Sequence, residues 1–261
     1  KLFMCGFIVV IDNKKEINRA KFNFLNSLIS HRGPDSGNVY FNNNIGIGSR
    51  RLRIHDLSKE SDQPFSSNCG GYKIVFNGAI YNYIELREEL IKLGVGFKTL
   101  SDTEVIINGH IKFGNDFIKK LDGMFSYLIY DIKKQSIFVG RDHIGIKPLY
   151  YYFDKNTLIL SSEIKPILAY DGVQKELNEN VIQEFFSFQV VDPPNTFFKN
   201  IFVFPPSHYL EHNCNLEHNL KFKEYWKIYK NFKNNSELDL ESIIENNIRN
   251  CWNNDRKTGI Q

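Results

Sequence analysis

Apolar residues recur along this chain with two periods. Phe7 to Ile11 form an unbroken apolar run behind Met4-Cys5-Gly6, which predicts a strand buried on both faces. Between 16 and 30, Ile17, Ala20, Phe24, Leu25 and Leu28 keep helical spacing, until His31-Arg32-Gly33-Pro34-Asp35 breaks the pattern into a turn. Short strands are expected around 38–41, 45–54 and 72–76. In the second of these, Leu52 and Ile54 alternate with Arg51 and Arg53, which predicts one core face and one guanidinium face. Tyr83, Leu86, Leu90 and Leu93 mark a helix with Gly94 as its stop. Ser101-Asp102-Thr103-Glu104 is a capping-box pattern that opens another helix through about Lys112. Strands recur near 124–131, 136–140, 149–153 and 157–161, and helices at 163–169 and 178–188. A loop-and-strand region punctuated by Pro193-Pro194 and Pro205-Pro206 runs to Trp226. The polar stretch 227–236 then reads as a linker. Residues 237–252 read as one more amphipathic helix, with Leu238, Leu240, Ile243, Ile244 and Ile248 on its stripe.

Composition narrows the function more than the fold. The 261 residues hold one large or two modest domains, and 42 % apolar with 24 % charged content is a globular profile. With 33 basic and 30 acidic residues the net charge is only +3, which argues against nucleic acid or an anionic membrane as partner. No apolar run has the length of a membrane span. None reads as a signal peptide either, since Asp12 closes the run that starts at Cys5. Cys5, Cys69, Cys214 and Cys251 lie far apart with neither disulfide-like nor metal-ligand spacing, so no metal site is expected and a reducing cytoplasm is.

A lone cysteine is most often a small buried apolar residue. Cys5 has a second reading. If Met4 is the true start and is removed, the new α-amine, titrating near ~7.7–8.0, can take the thiol proton. Lys1 to Phe3 would then be a pro-segment or an artificial extension, and Gly6 would leave room for a substrate carbonyl. Asn77-Gly78 is a hairpin signal. Yet Ile80 to Leu86 leads into a helix rather than a returning strand, so the pair ends the 72–76 strand and offers two donors to an oxyanion. Arg51 by itself is a solvated strand charge, and Asp102 by itself a first-turn residue of its helix. With a thiol and an oxyanion pair beside them, they describe clamps for the carboxylate and ammonium of an α-amino acid with an acyl side chain. Glutamine fits.

Those residues belong to a longer ordered pattern. Met4-Cys5-Gly6, HRGPD at 31–35, Arg51-Leu52, VFNGAIYNY at 75–83, SDTEVI at 101–106, LDGMFSYLIYD at 121–131, GRDHIGIKPLYY at 140–151 and SSEIKPIL at 161–168 resemble the class II glutamine amidotransferase domain of asparagine synthetases. The resemblance covers about residues 5–226. It implies an α+β fold, a four-layer αββα sandwich of two antiparallel sheets flanked by helices, of the N-terminal-nucleophile hydrolase type. It implies Cys5 as nucleophile, its amine as base, Asn77 and Gly78 as oxyanion hole, and Arg51, Leu52, Ile54, Asn77, Gly78, Ala79 and Asp102 as the glutamine site. Arg141 and Asp142 are expected to hold loops. Two departures stand out: the family usually has Glu where this chain has Ala79, and Lys1 to Met4 precede the nucleophile. Residues 237–261 are similar to the approach to an ATP-dependent synthetase domain. The resemblance therefore implies glutamine as substrate, no cofactor in this half, ATP and Mg in a C-terminal synthetase half as partner, and compatibility with a homodimer. The alternative from another class is a catalytically silent domain kept for docking, which Ala79 and the blocked cysteine would favour.

Overall fold

The structure, a computed structural model, describes residues 4–215, 219–228 and 239–252. Expectations for Lys1 to Phe3, for 229–236 of the linker, for the start of the last helix at 237–238 with Leu238, and for the end from Asn253 to Gln261 lie outside the described residues.

Two six-stranded antiparallel sheets face each other. The first has the order β10(Ile201–Val203)-β8(Tyr150–Phe153)-β9(Thr157–Ser161)-β1(Gly6–Asp12)-β3(Ile45–Arg50)-β2(Val39–Asn42). The second runs β12(Phe222–Glu224)-β11(His208–Asn213)-β7(Ser136–Arg141)-β6(Gly123–Asp131)-β5(Tyr72–Ile80)-β4(Phe65–Ser66). Side-chain alternation sorts the core into three layers. Phe7, Val9 and Ile11 of β1 meet Val75, Leu128 and Val139 of the second sheet. On the outer face of the first sheet, Ile8 and Val10 pack with Phe22 and Leu25 of α1(Arg19–Ser27) and Ile167 of α4(Ile164–Leu168). On the outer face of the second, Phe76 and Ile80 pack against Leu86 and Leu90 of α2(Tyr83–Lys92) and Val105 and Ile106 of α3(Asp102–Phe113). The arrangement is helix, sheet, sheet, helix, the expected αββα sandwich. Burial on both faces explains why β1 reads as a continuous apolar run instead of an alternation. α5(Glu179–Phe188) and α6(Leu240–Trp252) complete the described helices; α6 exposes Leu240, Ile243, Ile244 and Ile248.

Three local expectations are corrected. The buried stripe of α1 is Phe22, Leu25 and Asn26, continued by Ile29, while Ala20 and Phe24 are exposed. The Asn18 side chain caps the helix at Lys21 N, and Phe22 and Asn26 lie over Gly46 and Gly48 of β3, whose bare backbone admits that face. Asn77-Gly78 does not end a strand: β5 runs on to Ile80, with Asn77 opposite Ser126 and Gly78 opposite Phe125. Glycine is required there, because a Cβ on Gly78 would lie 2.2 Å from the Met124 carbonyl oxygen. Finally, β3 stops at Arg50 and the expected face pattern beyond it is inverted. Arg51 is buried, whereas Leu52 and Ile54 are half-buried, because the chain leaves the sheet there to pass the head of β1.

Candidate active site

Cys5 stands one residue before β1. Alternation with Phe7 and Val9 puts its side chain on the inter-sheet side, and Gly6 on the helix side. A Cβ on Gly6 would fall 2.8 Å from Arg32 Cδ. Glycine at this position thus makes room for Arg32 rather than for a substrate carbonyl. Arg32 lies across the chain and donates from Nε to the Cys5 carbonyl at 2.9 Å. Its Nη1 reaches Glu163 Oε1 at 3.3 Å, and that oxygen also meets His31 Nε2 at 2.8 Å.

The thiol rests on the main chain of one residue. Leu52 N–H donates to Cys5 Sγ at 3.3 Å, and Sγ faces the Leu52 carbonyl oxygen at 3.4 Å. Burial pushes the thiol above its ordinary value. Asp102 adds to this, while the Leu52 hydrogen bond, Arg51 and Lys147 oppose it.

Leu52 owes its place to its neighbours. Arg51, 4 % exposed, donates from Nη1 to the Ser58 carbonyl at 3.1 Å and Asp62 Oδ1 at 2.9 Å. Its Nη2 donates to the carbonyls of His55 at 3.0 Å and Asp56 at 2.7 Å. Arg53 forks the same Asp62 at 3.1 and 2.7 Å, and its N–H donates to Asp35 Oδ2 at 2.9 Å. Burial alone would raise Asp62; hydrogen bonds from Arg53 and Arg51 outweigh it and hold the carboxyl below its usual range. The HRGPD turn is thereby laced to the loop after β3, and both terminal nitrogens of Arg51 are committed to that loop. The sequence reading leaves this guanidinium open to a ligand.

Asn77 projects into the inter-sheet layer with Val75, and Ala79 shares its face. Asn77 is 1 % exposed, and among the described residues neither its Nδ2 nor its Oδ1 has a partner. Buried amides are nearly always bonded, which makes this one an exception in the inter-sheet layer. Two residues beyond Gly78, Ile80 N–H donates to Asp102 Oδ2 at 3.2 Å. That contact ties β5 to the first turn of α3, whose N-cap is Ser101. The capping box closes only halfway. Ser101 Oγ accepts from Glu104 N, while the Glu104 carboxylate turns to Lys98 N and Thr99 N. Asp102 is 4 % exposed, and burial pushes its carboxyl up against His55, the Ile80 and Thr103 N–H groups, and Arg51.

The structure therefore brings Cys5, Leu52, Arg51 and Asp102 into one electrostatic neighbourhood, with Asn77, Gly78 and Ala79 on the strand bonded to Asp102. Ile54 stands half-buried on the loop between them. Sequence reasoning gives no role to three further residues: Arg32 on the Cys5 carbonyl, His55 beside Asp102 and against the Tyr83 ring, and Lys147, whose Nζ lies 3.4 Å from Met4 Sδ. Arg32 and Lys147 sit inside quoted motifs, where a cation flanked by turn-forming Gly or Pro was the available signal. The expected loop-holding role of Arg141 and Asp142 is visible. Arg141 donates to the carbonyls of Lys147, Gly145 and Phe204, and Asp142 accepts from the N–H groups of Phe125, Ile144, Ile146 and Lys147.

Face-to-face antiparallel sheets between helices, with a thiol at the head of the first strand, make the αββα fold of the N-terminal-nucleophile type. The chain belongs to the glutamine amidotransferase domain family, which matches residues 4–226. A Methanocaldococcus jannaschii protein named after the glutamine-hydrolysing asparagine synthetases is 37 % identical over 87 % of this chain and 46 % of its own length. The glutamine-hydrolysing asparagine synthetase 1 of Bacillus subtilis is 36 % identical over 88 % of this chain and 36 % of its own. The chain thus spans between a third and a half of these relatives. Among solved structures, a glutamine phosphoribosylpyrophosphate amidotransferase from B. subtilis shares the fold at TM-score 0.59 and 19 % identity, over 85 % of this chain and 49 % of that one. Among the described residues, no helix is long and apolar enough to cross a membrane.

Proposed function

We propose that this chain is the glutaminase half of an asparagine-synthetase-like amidotransferase, and that Cys5 acts as an N-terminal nucleophile once residues 1–4 are removed. The observation that carries the reading is the partnerless buried amide of Asn77, on the same inter-sheet side as the Cys5 thiol. The freed amine takes the thiol proton, and Sγ attacks the glutamine side-chain carbonyl. Asn77 Nδ2 and the Gly78 N–H receive the oxyanion. Collapse breaks the carbon–nitrogen bond, the amine returns its proton to the leaving nitrogen, and ammonia departs. Water then cleaves the γ-glutamyl thioester, releasing glutamate and restoring the thiol.

Asp102 takes the substrate ammonium, and Leu52, Ile54 and Ala79 wall the pocket. For Arg51 to meet the substrate carboxylate, it must release one of its loop carbonyls. Ammonia passes to an acceptor, aspartate or another carboxylate, activated with ATP and Mg in a C-terminal synthetase half. The greater length of the relatives supports such a half, and the exposed stripe of α6 is a surface it would cover.

The test uses protein whose first residue is verified as Cys5. It is expected to release glutamate from glutamine, and Cys5→Ala to lose at least roughly 10⁴-fold. A glutamine-mimicking diazo-ketone should add to Cys5. Labelling at Cys69 or Cys214 would overturn the assignment. An inert protein would favour the silent docking domain.

A further inference from the structure

One buried charge beside the nucleophile has no role in the mechanism above. Lys147 is 7 % exposed. Its main chain is held from both sides, with its N–H on Asp142 Oδ2 at 3.0 Å and Arg141 Nε on its carbonyl at 2.9 Å. The loop 142–147 is therefore a rigid mount. It aims the ammonium at the head of β1, where Nζ contacts Met4 Sδ at 3.4 Å. A thioether is a weak acceptor, and among the described residues Lys147 forms no ion pair. Burying an ammonium on such terms is costly, so its place calls for a reason.

We propose that Lys147 is a positioning residue for the proton transfer: its ammonium stands beside the Cys5 amine once residues 1–4 are gone, and like-charge repulsion keeps that amine neutral and ready to accept the thiol proton. This rests on the reading of Cys5 given above. Removing Met4 takes away the Sδ that occupies Nζ, and with it the 2.8 Å bond from Met4 N–H to the Arg32 carbonyl. The charged groups around the new terminus can be named element by element. Lys147 comes from the 142–147 loop. Arg32 comes from the turn after α1, bonded to the Cys5 carbonyl and backed by Glu163 and His31. Arg51 comes from the end of β3, and Asp102 from α3. Lys147 itself feels Cys5, Arg32 and Asp142. Glu163 offsets Arg32, Asp62 offsets Arg51 and Arg53, and Asp142 is bonded to backbone N–H groups, so among the described residues Lys147 is the cation here whose charge no ion pair offsets. Burial also lowers the proton affinity of Lys147, without removing its repulsion while it stays charged. After the thiol proton has moved, the same repulsion helps the amine hand it to the departing nitrogen.

The test titrates the amine of Cys5-first protein carrying ¹⁵N-cysteine, by NMR, in the unaltered protein and in Lys147→Met and Lys147→Arg. The unaltered amine is expected below the ordinary ~7.7–8.0. Lys147→Met should raise it by about one unit, and Lys147→Arg should keep it low. In parallel, kcat/KM for glutamine in Lys147→Met should fall about tenfold more at pH 6.5 than at pH 9. An unaltered amine at or above the ordinary value overturns the proposal even if Lys147→Met does not fold. So does an acidic limb that does not move in a folded Lys147→Met protein. The titration reads Lys147 whether or not glutamine is turned over. Failure of the Cys5 reading appears separately, as turnover that survives Cys5→Ala.

Discussion

The two walls of the Cys5 site are built on opposite plans. Along 51–62, polar groups are bonded in excess: four carbonyl or carboxylate oxygens on Arg51, a fork from Arg53 to Asp62, and Asp56 accepting from Ser58, Ser61 and Leu100. The orphaned side-chain atom in that stretch is His55 Nδ1. Across the site, among the described residues, Asn77 has neither amide atom satisfied, Ser126 Oγ on the neighbouring strand has no partner, and Lys147 faces a thioether. Each buried orphan costs about 1–3 kcal/mol. A fold keeps such a cost where a ligand or a reaction recovers it. The saturated wall fixes Leu52 under the thiol, and the unsatisfied wall is where the proposed chemistry falls.

The largest test of this contrast is Arg51→Ala. It leaves Asp62 to Arg53 alone and strands three loop carbonyls, so stability should fall by about 3–5 kcal/mol in urea or thermal melts. The contrast breaks if melting is unchanged and only KM for glutamine rises. The guanidinium would then belong to the substrate carboxylate, as the sequence pattern suggests, with its loop contacts interchangeable.

Asn77→Ala should do the reverse. Removing an unbonded buried amide leaves stability equal or higher, while kcat falls roughly 10²- to 10³-fold, the usual loss for one oxyanion donor. A large drop in melting temperature at undiminished kcat would return Asn77 to the structural wall.

Much of the frame was legible because it is local. β1, β6, β7, β8 and β9 and helices α2 and α3 lie within a residue or two of their expected bounds, where apolar period and capping residues settle the matter. The errors fall where distant residues decide. Nothing near Asn77-Gly78 announces that β5 continues, because its partner there, Met124 to Ser126, lies more than forty positions on. The α1 stripe differs because Phe22 and Asn26 lie over Gly46 and Gly48 of β3, more than twenty positions on. Within the site, residue types alone pointed to Cys5, Asn77, Arg51 and Asp102 as groups able to hold and cleave an amide. Spacing could not show that Arg51 is saturated while Asn77 is empty. Nor could it show that Lys147, held by Arg141 and Asp142, reaches Met4.

The smallest expected effect probes where the two walls meet. Ala79 shares the face of Asn77 and is nearly buried, and it stands where the family pattern usually has glutamate. Asp102 already carries a carboxyl pushed up by burial. On the proposed reading, one carboxylate instead of two holds a substrate ammonium less firmly than the site allows. Ala79→Glu should therefore lower KM for glutamine about 3- to 10-fold, the worth of one added hydrogen bond. It should leave kcat within about twofold, because the ammonium is remote from the scissile amide and is held equally in ground and transition states. The opposite sign has a clear meaning. A second carboxylate with no ammonium between them pushes Asp102 further up by like-charge repulsion. If the pocket has closed around the methyl group, KM rises and the protein loses stability without substrate. Steady-state glutamate release and a melt in the absence of glutamine, both on Cys5-first protein, separate the two. A lower KM places Ala79 on the wall left open for ligand, and a higher KM with a lower melt places it on the saturated one.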